Sequence, residues 1–332
     1  MKKIFSILII ITFFLVTSKL WASELKLEIF VSEPNEINVT SPLIMGPTEM
    51  MVVAAQATKA SATRLAETIK KKGLKLKYIF LTHAHQDHSQ GAGILLNQFP
   101  KAKFIATPEV AALQRKRLPH DNELSKKRHG ENAAIGVPAE DYTASTLDID
   151  GENIEIWKDI IGDAGLGHPD EPHVALHIPS INTLIPSDVV YFNAHMMMGG
   201  SSKESREKWL KQLSEWIEKD FDVVVPGHML KKDLKLLTAK GALQHSKDYI
   251  IQYDRVIAEC SSADEVIQKM TDLYPEMQHR SALLIGTFLN FKQMHRLTFN
   301  PTIEKIGSML PDFLMNWINN KIYRSKKEDY NL

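Results

Sequence analysis

The chain has 332 residues, of which 44% are hydrophobic and 24% charged, the balance of a globular protein rather than a disordered one. Forty Lys+Arg offset forty Asp+Glu, which argues against a binder that works by neutralising nucleic-acid phosphates. A single cysteine, Cys260, excludes an intrachain disulfide framework and a cysteine-rich zinc module, so the 13 histidines become the main carriers of chemistry.

The amino terminus reads as an export signal. Met1-Lys2-Lys3 precedes an apolar run from Ile4 to Val16, too short to span a bilayer, and small residues follow at Ala22 and Ser23. Residues 1–22 are therefore expected to be a signal peptide, removed after Ala22. The mature protein is expected in the periplasm or outside the cell, free of the membrane.

Strands are predicted over Leu25–Val31, Ile37–Met45 and Met50–Ala54, followed by a helix over Thr58–Lys72 that Gly73 stops. Lys77–Leu81 is a strand that runs into Thr82-His83-Ala84-His85-Gln86-Asp87-His88. A helix over Gly91–Phe99, a strand over Lys103–Ala106 and a helix over Pro108–Arg117 come next. Leu118 to about Pro138 is polar and charged and reads as a surface insertion or lid, or equally as a solvated loop or short helix. Further strands are predicted at Asn153–Trp157, Val174–Ile178, Thr183–Ile185, Asp188–Tyr191 and Asp222–Val225, with an amphipathic helix over Ser205–Trp216. Beyond His228 the pattern is helical, over Leu236–Cys260, Ala263–Leu273, Arg280–Met294 and Ile303–Asn319. The expected organisation is a catalytic domain over residues 23–235 and a helical extension over residues 236–332. That extension could support a homodimer or cover the pocket.

The central motif is H-x-H-x-D-H, formed by His83, His85, Asp87 and His88 where a strand ends. Residues two apart on an extended segment face the same side, so His83 and His85 can grip one cation together. Asp87 and His88, past the bend, can address a second position. Imidazole with carboxylate suits zinc, with iron or manganese as alternatives. More ligands must come from elsewhere. His168 lies in Gly165-Leu166-Gly167-His168-Pro169, Asp188 follows an apolar strand, and His228 ends Val223-Val224-Val225-Pro226-Gly227-His228. His173 competes with His168, and the glycine-rich loop favours His168.

These residues, in this order, resemble the metallo-β-lactamase superfamily over roughly Ile37 to His228. The resemblance implies a four-layer αββα sandwich with the site at one edge of the two sheets. It implies one metal on the residues matching His83, His85 and His168, a second on those matching Asp87, His88 and His228, and Asp188 bridging both. Two departures stand out: alanine at Ala54 where the family often has an acidic residue, and Ser187 where glycine is usual before the bridging aspartate.

Two Zn2+ ions sharing a water would present it as a bridging hydroxide, with Asp87 and Asp188 orienting it and relaying its proton. Tyr191 and His195 follow Asp188 closely and are candidate substrate contacts, with structural packing as the other reading. Met196-Met197-Met198 suggests an apolar wall near the pocket. The expectation is an exported dinuclear metal-dependent hydrolase of a small-molecule ester, lactone or thioester. The alternatives are a β-lactamase, an iron-dependent oxidoreductase of the same superfamily, or a metal-stabilised binding protein without catalysis.

Overall fold

The computed structural model describes residues 25–165 and 171–297. The proposed signal peptide, His168 and the helix expected over Ile303–Asn319 lie outside the described residues. In chain order the elements are β1 (Lys26–Val31), β2 (Thr40–Met45), β3 (Glu49–Val53), α1 (Lys59–Lys72), β4 (Lys75–Phe80), α2 (Gln86–Ser89), α3 (Ala92–Gln98), β5 (Lys103–Ala106), α4 (Pro108–His129) and β6 (Glu140–Asp141). They continue with β7 (Thr146–Ile149), β8 (Glu152–Ile160), β9 (His173–Ile178), β10 (Thr183–Phe192), α5 (Lys203–Ile217), β11 (Val223–Met229), α6 (Ala239–Glu259), α7 (Ala263–Leu273) and α8 (Arg280–Asn290).

Six strands form one sheet in the order β1-β2-β3-β4-β5-β6, and five form another in the order β11-β10-β9-β8-β7. The sheets pack face to face. Met51, Val53, Phe80 and Ile105 of the first meet Ile154, Ile156, Leu176, Ile185 and Val225 of the second in one buried cluster. Alternate residues point the other way, as the two-residue period of a strand requires. Met50, Val52 and Ile79 therefore pack under Leu65 and Ile69 of α1, Leu95 of α3 and Val110 of α4. On the far side, Leu184, Val190 and Val224 pack under Trp209 and Leu213 of α5 and Leu243 and Ile250 of α6. The result is the expected αββα sandwich with a helical extension, and α7 and α8 join the same outer core through Val266, Met270, Leu283 and Phe288.

Local chemistry sets the element ends. Thr58 caps α1 by accepting from the Ser61 N–H, and Gly73 closes it at φ 69°. α4 runs well past the predicted end at Arg117, to His129, with Pro119 inside it. The segment expected as a lid, a solvated loop or a short helix is thus largely a continuation of this helix. The strands expected at Thr183–Ile185 and Asp188–Tyr191 are one strand, β10, with a register irregularity at Ser187, whose φ is +50°. Among the described residues no helix is long and apolar enough to cross a membrane.

Candidate metal centre

β4 ends at Phe80, and the chain continues through Leu81 and Thr82 into the histidine motif at one edge of the sandwich. His85 is the N-cap of the single-turn helix α2, which carries Asp87 and His88. The loop is held against the segment after β3: the Ala55 N–H donates to the His88 carbonyl (2.6 Å) and the Gly91 N–H to the Gln56 carbonyl (2.9 Å). A Cβ at Gly91 would run into the Ala55 carbonyl oxygen, so this approach requires glycine.

The remaining donors arrive from the second sheet. The Val174 N–H donates to the Thr82 carbonyl (3.0 Å), tying the start of β9 to the end of β4. That bond brings His173 beside His83, with their rings stacked at 4.7 Å. Asp188 lies within β10, directly after the Ser187 irregularity. His228 lies inside β11 rather than after it, and Tyr191 pairs with it in register. The His228 Nδ1–H donates to the Ile37 carbonyl (2.8 Å), which directs Nε2 at the cluster.

The potential ligand atoms form three groups, each within 4.8 Å: His83, His85 and His173; Asp87, His88, Asp188 and His228; and His85, Asp163 and Asp188. Asp188 joins the two sides. Its Oδ1 is 3.1 Å from His88 Nε2, and its Oδ2 is 3.2 Å from His228 Nε2 and 3.4 Å from His83 Nε2. The donor set fits cations. His83 Nε2, His85 Nε2 and both His173 ring nitrogens are buried without a hydrogen-bond partner, an arrangement costly in an empty polar cluster. The chain therefore carries a dinuclear metal-binding site of the kind typical of hydrolases with this fold.

The electrostatics are those of crowded buried charge. Burial, reinforced by the charge of His85, lowers His83 to about 4. Burial also lowers His228, but Asp188 and Asp87 outweigh it and raise the group to about 9. Asp163 is raised to about 7 by burial, with the neighbouring Asp188 and Glu171 carboxylates adding to the effect against the opposing His85.

Of the substrate contacts expected from sequence, Tyr191 reaches the site. Its hydroxyl donates to Asp163 Oδ2 (2.5 Å) and lies 3.2 Å from Asp188 Oδ2. His195 does not reach it. Asn193 turns the chain at φ +51°, and His195 is buried toward the helices with Nδ1 3.1 Å from the Tyr249 hydroxyl. Of the three methionines, Met197 lines the cavity, while Met196 and Met198 are in the core.

Four further residues lie at the cluster and are not singled out by the sequence. Asp163, in the loop after β8, has its Oδ1 3.3 Å from His85 Nε2. Glu171 lies 3.2 Å from the same nitrogen, and Arg117 of α4 clamps it with two hydrogen bonds (2.6 and 2.9 Å). His279, before α8, stacks on His228 at 4.3 Å. Gly162-Asp163-Ala164-Gly165 is the one local signal, an acidic residue between glycines. Nothing near Glu171, Arg117 or His279 in sequence marks them. A cavity of about 280 Å³ opens over the cluster, between α4 and α8.

Comparison with known proteins agrees with this geometry. The family model described as the metallo-beta-lactamase superfamily matches residues 54–228. No curated protein matches the sequence. Among solved structures, the chain is similar to a metallo-beta-lactamase family protein from Thermus thermophilus, at 17% identity and TM-score 0.53, over 81% of this chain and 94% of that one. It is similar to a beta-lactamase domain protein from Burkholderia ambifaria at 16% identity and TM-score 0.52, over 82% and 87% respectively. With the αββα sandwich, the two ligand clusters and a family match over more than half its length, the chain belongs to the metallo-beta-lactamase superfamily.

Proposed function

We propose that this protein is an exported, dinuclear metal-dependent hydrolase of a small molecule, acting on an ester, lactone or thioester bond. The observation that carries the reading is the convergence of His83, His85 and His173 on one side of Asp188 and of Asp87, His88 and His228 on the other. We assign those seven residues as the ligands, with zinc as the metal. His173 takes the place expected for His168, because its partnerless buried ring faces His83. The basic, short apolar amino terminus supports export, and residues 1–22 are its proposed extent, followed by a catalytic domain to residue 235.

Two bound cations would supply Lewis acidity and an acidified water for attack on the substrate. The protein's own groups then do the following. Asp188 holds the two sides at a fixed separation. Asp87, whose Oδ2 is 3.4 Å from His228 Nε2, orients the water and takes up its proton. Tyr191 fixes the Asp188 carboxylate from behind. The chain has no cysteine at the site, since Cys260 lies just after α6, so a side-chain thiol nucleophile is absent from this scheme.

The test is metal analysis together with a substrate panel. Purified protein should carry two zinc ions per chain and hydrolyse at least one ester, lactone or thioester faster than a chromogenic cephalosporin. Removal of metal by a chelator should abolish turnover, and zinc should restore it. Turnover that survives complete metal removal would overturn the reading.

A further inference from the structure

The cavity over the metal cluster has two helical walls, and they are fastened differently. α8 is tied to the loop after β10 at Gln278, whose N–H donates to the Asn193 carbonyl (3.3 Å) and whose carbonyl accepts from the His195 N–H (2.8 Å). Its cavity face carries Ala282 and Ile285. α4 brings charge to the same cavity, through Arg117, Asp121 and Arg128. Of these three, Arg117 reaches past the cavity wall to the segments that carry the assigned ligands.

Arg117 makes two attachments there. Its Nη1 and Nη2 donate to Glu171, at 2.6 Å to Oε1 and 2.9 Å to Oε2, and Nη1 also donates to the Ala84 carbonyl (3.5 Å). Ala84 is the residue between His83 and His85, and Glu171 stands two residues before His173. One side chain of α4 therefore touches both segments that supply the histidines on one side of Asp188. A lysine would bring the charge without the fork that makes both bonds to one carboxylate.

Glu171 in turn is aimed at a ligand. Its side chain is 1% exposed, and its Oε1 lies 3.2 Å from His85 Nε2. Asp163 Oδ1 stands 3.3 Å from the same nitrogen. The space in front of that nitrogen is kept by glycine: a Cβ on Gly165 would stand 2.5 Å from His85 Nε2 and 3.1 Å from Glu171 Oε2. No hydrogen bond is aligned at Nε2, so the attraction is one of charge and proximity. The other ring nitrogen, Nδ1, lies 3.8 Å from Asp188 Oδ2, toward the middle of the cluster. Carboxylates behind Nε2 hold the proton there and leave the Nδ1 lone pair for a cation, and outer partners of this kind are commonly worth about 10–100-fold in metal affinity. A buried carboxylate needs a cation beside it, and Arg117 supplies one.

We propose that Arg117 is a positioning residue of the metal centre: through Glu171 and the Ala84 carbonyl it fixes His85, and with it the cation position formed by His83, His85 and His173, while the position formed by Asp87, His88 and His228 does not depend on it. The inference rests on the ligand assignment above and deepens it. The helix that lines the cavity thereby also sets the affinity of one of the two metal positions.

The test is zinc binding by the full chain, stripped of metal and titrated against a chromophoric chelator, so that no substrate is needed. The wild type should bind two zinc ions. Arg117→Ala should weaken one of them at least tenfold and leave the other within threefold of the wild type. Arg117→Lys, which keeps the charge but not the fork, should recover part of the loss. Glu171→Gln should weaken the same ion, and joining it to Arg117→Ala should add less than threefold, because the two residues act through one path. The double variant leaves no buried carboxylate without its cation, so it gives the answer where Arg117→Ala alone folds poorly. Adding His83→Ala to the double variant should leave the tighter ion within threefold, whereas adding His228→Ala should weaken it. The proposal is overturned if Arg117→Ala and the double variant keep both affinities within threefold of the wild type, if both ions weaken alike, or if the tighter ion is lost with His83→Ala. A wild type that binds no zinc would remove the ligand assignment and this proposal with it, whereas two ions in the wild type and unchanged affinities in the variants would remove this proposal alone.

Discussion

The two sides of the metal cluster are built in opposite ways. One side is local: His83, His85, Asp87 and His88 lie within six consecutive positions between β4 and α3. The other is dispersed: His173, Asp188 and His228 come from three strands of the second sheet and are brought in by topology. A contiguous motif keeps its geometry through backbone period and one short turn. A dispersed set depends on long-range bonds, such as Val174 N–H to the Thr82 carbonyl and His228 Nδ1–H to the Ile37 carbonyl. Damage to the local side should therefore act on metal binding alone, and damage to the dispersed side on metal binding and on strand packing together.

The largest effect is expected at the residue shared by both sides. Asp188→Ala should cut turnover by a factor on the order of 10³ or more and reduce metal content at both positions, measured by elemental analysis and steady-state kinetics. An unchanged metal content would mean that Asp188 is not the joint. His173→Ala should lower bound zinc from two ions to about one per chain, whereas His168→Ala should retain both. The reverse result would return the role to His168.

Next in size is Tyr191→Phe. It leaves Asp163 without its short hydrogen bond and loosens Asp188, and is expected to cost roughly tenfold in kcat and about 1–3 kcal/mol of stability. A change in stability without a change in kcat would confine Tyr191 to packing.

An effect confined to acid pH, with none on kcat at neutral pH, separates the helical layer from the metal site. His195 is lowered to about 4 from its usual 6.5, by burial first and by the Arg280 charge second. The folded form thus keeps the imidazole neutral while the unfolded chain protonates it. Stability is full above pH 6.5 and is lost progressively as pH falls toward 4, by on the order of 2–3 kcal/mol. His195→Asn should lose less stability than the wild type over that window in chemical denaturation at both pH values. Parallel curves for the two proteins would refute the assignment. The smallest effect is expected for Ser187→Gly, which relieves the positive φ at the start of the Asp188 turn. Its stability should shift by no more than about 1 kcal/mol, with metal content unchanged.

The same contrast governs what could be read from sequence. The local side, most strands and the helices of the tail within the described residues were legible, because strand alternation, helix caps and close ligand spacing are properties of short segments, whereas the four-layer sandwich was implied by family resemblance. Asp188 and His228 were found through their positions at strand ends and through family resemblance. The sequence favours His168 over His173 on its glycine-rich loop, whereas the bond that draws β9 to Thr82 and sets His173 beside His83 joins residues far apart in the chain. Asp163, Glu171 and Arg117 form a buried chain of contacts on His85 that no spacing announces. The reading of α4 stopped early because the charged stretch after Arg117 looks solvated. In the structure the same stretch is helical, and Asp121 and Arg128 line the cavity together with Leu124. For His195 the sequence leaves substrate contact and packing open, and the structure shows packing, because one left-handed residue, Asn193, redirects the chain within two positions.

The bridge between Gln278 and the segment Asn193–His195 has a consequence for how such a protein can change over generations. The segment that shapes the cavity wall is tied on by two backbone hydrogen bonds and by the packing of Leu283 and Phe288, and none of the assigned metal ligands belongs to it. Substitutions along α8 can remodel the acceptable guest while leaving the reactive centre untouched. Diversification of substrate preference in this lineage should accordingly concentrate in α8.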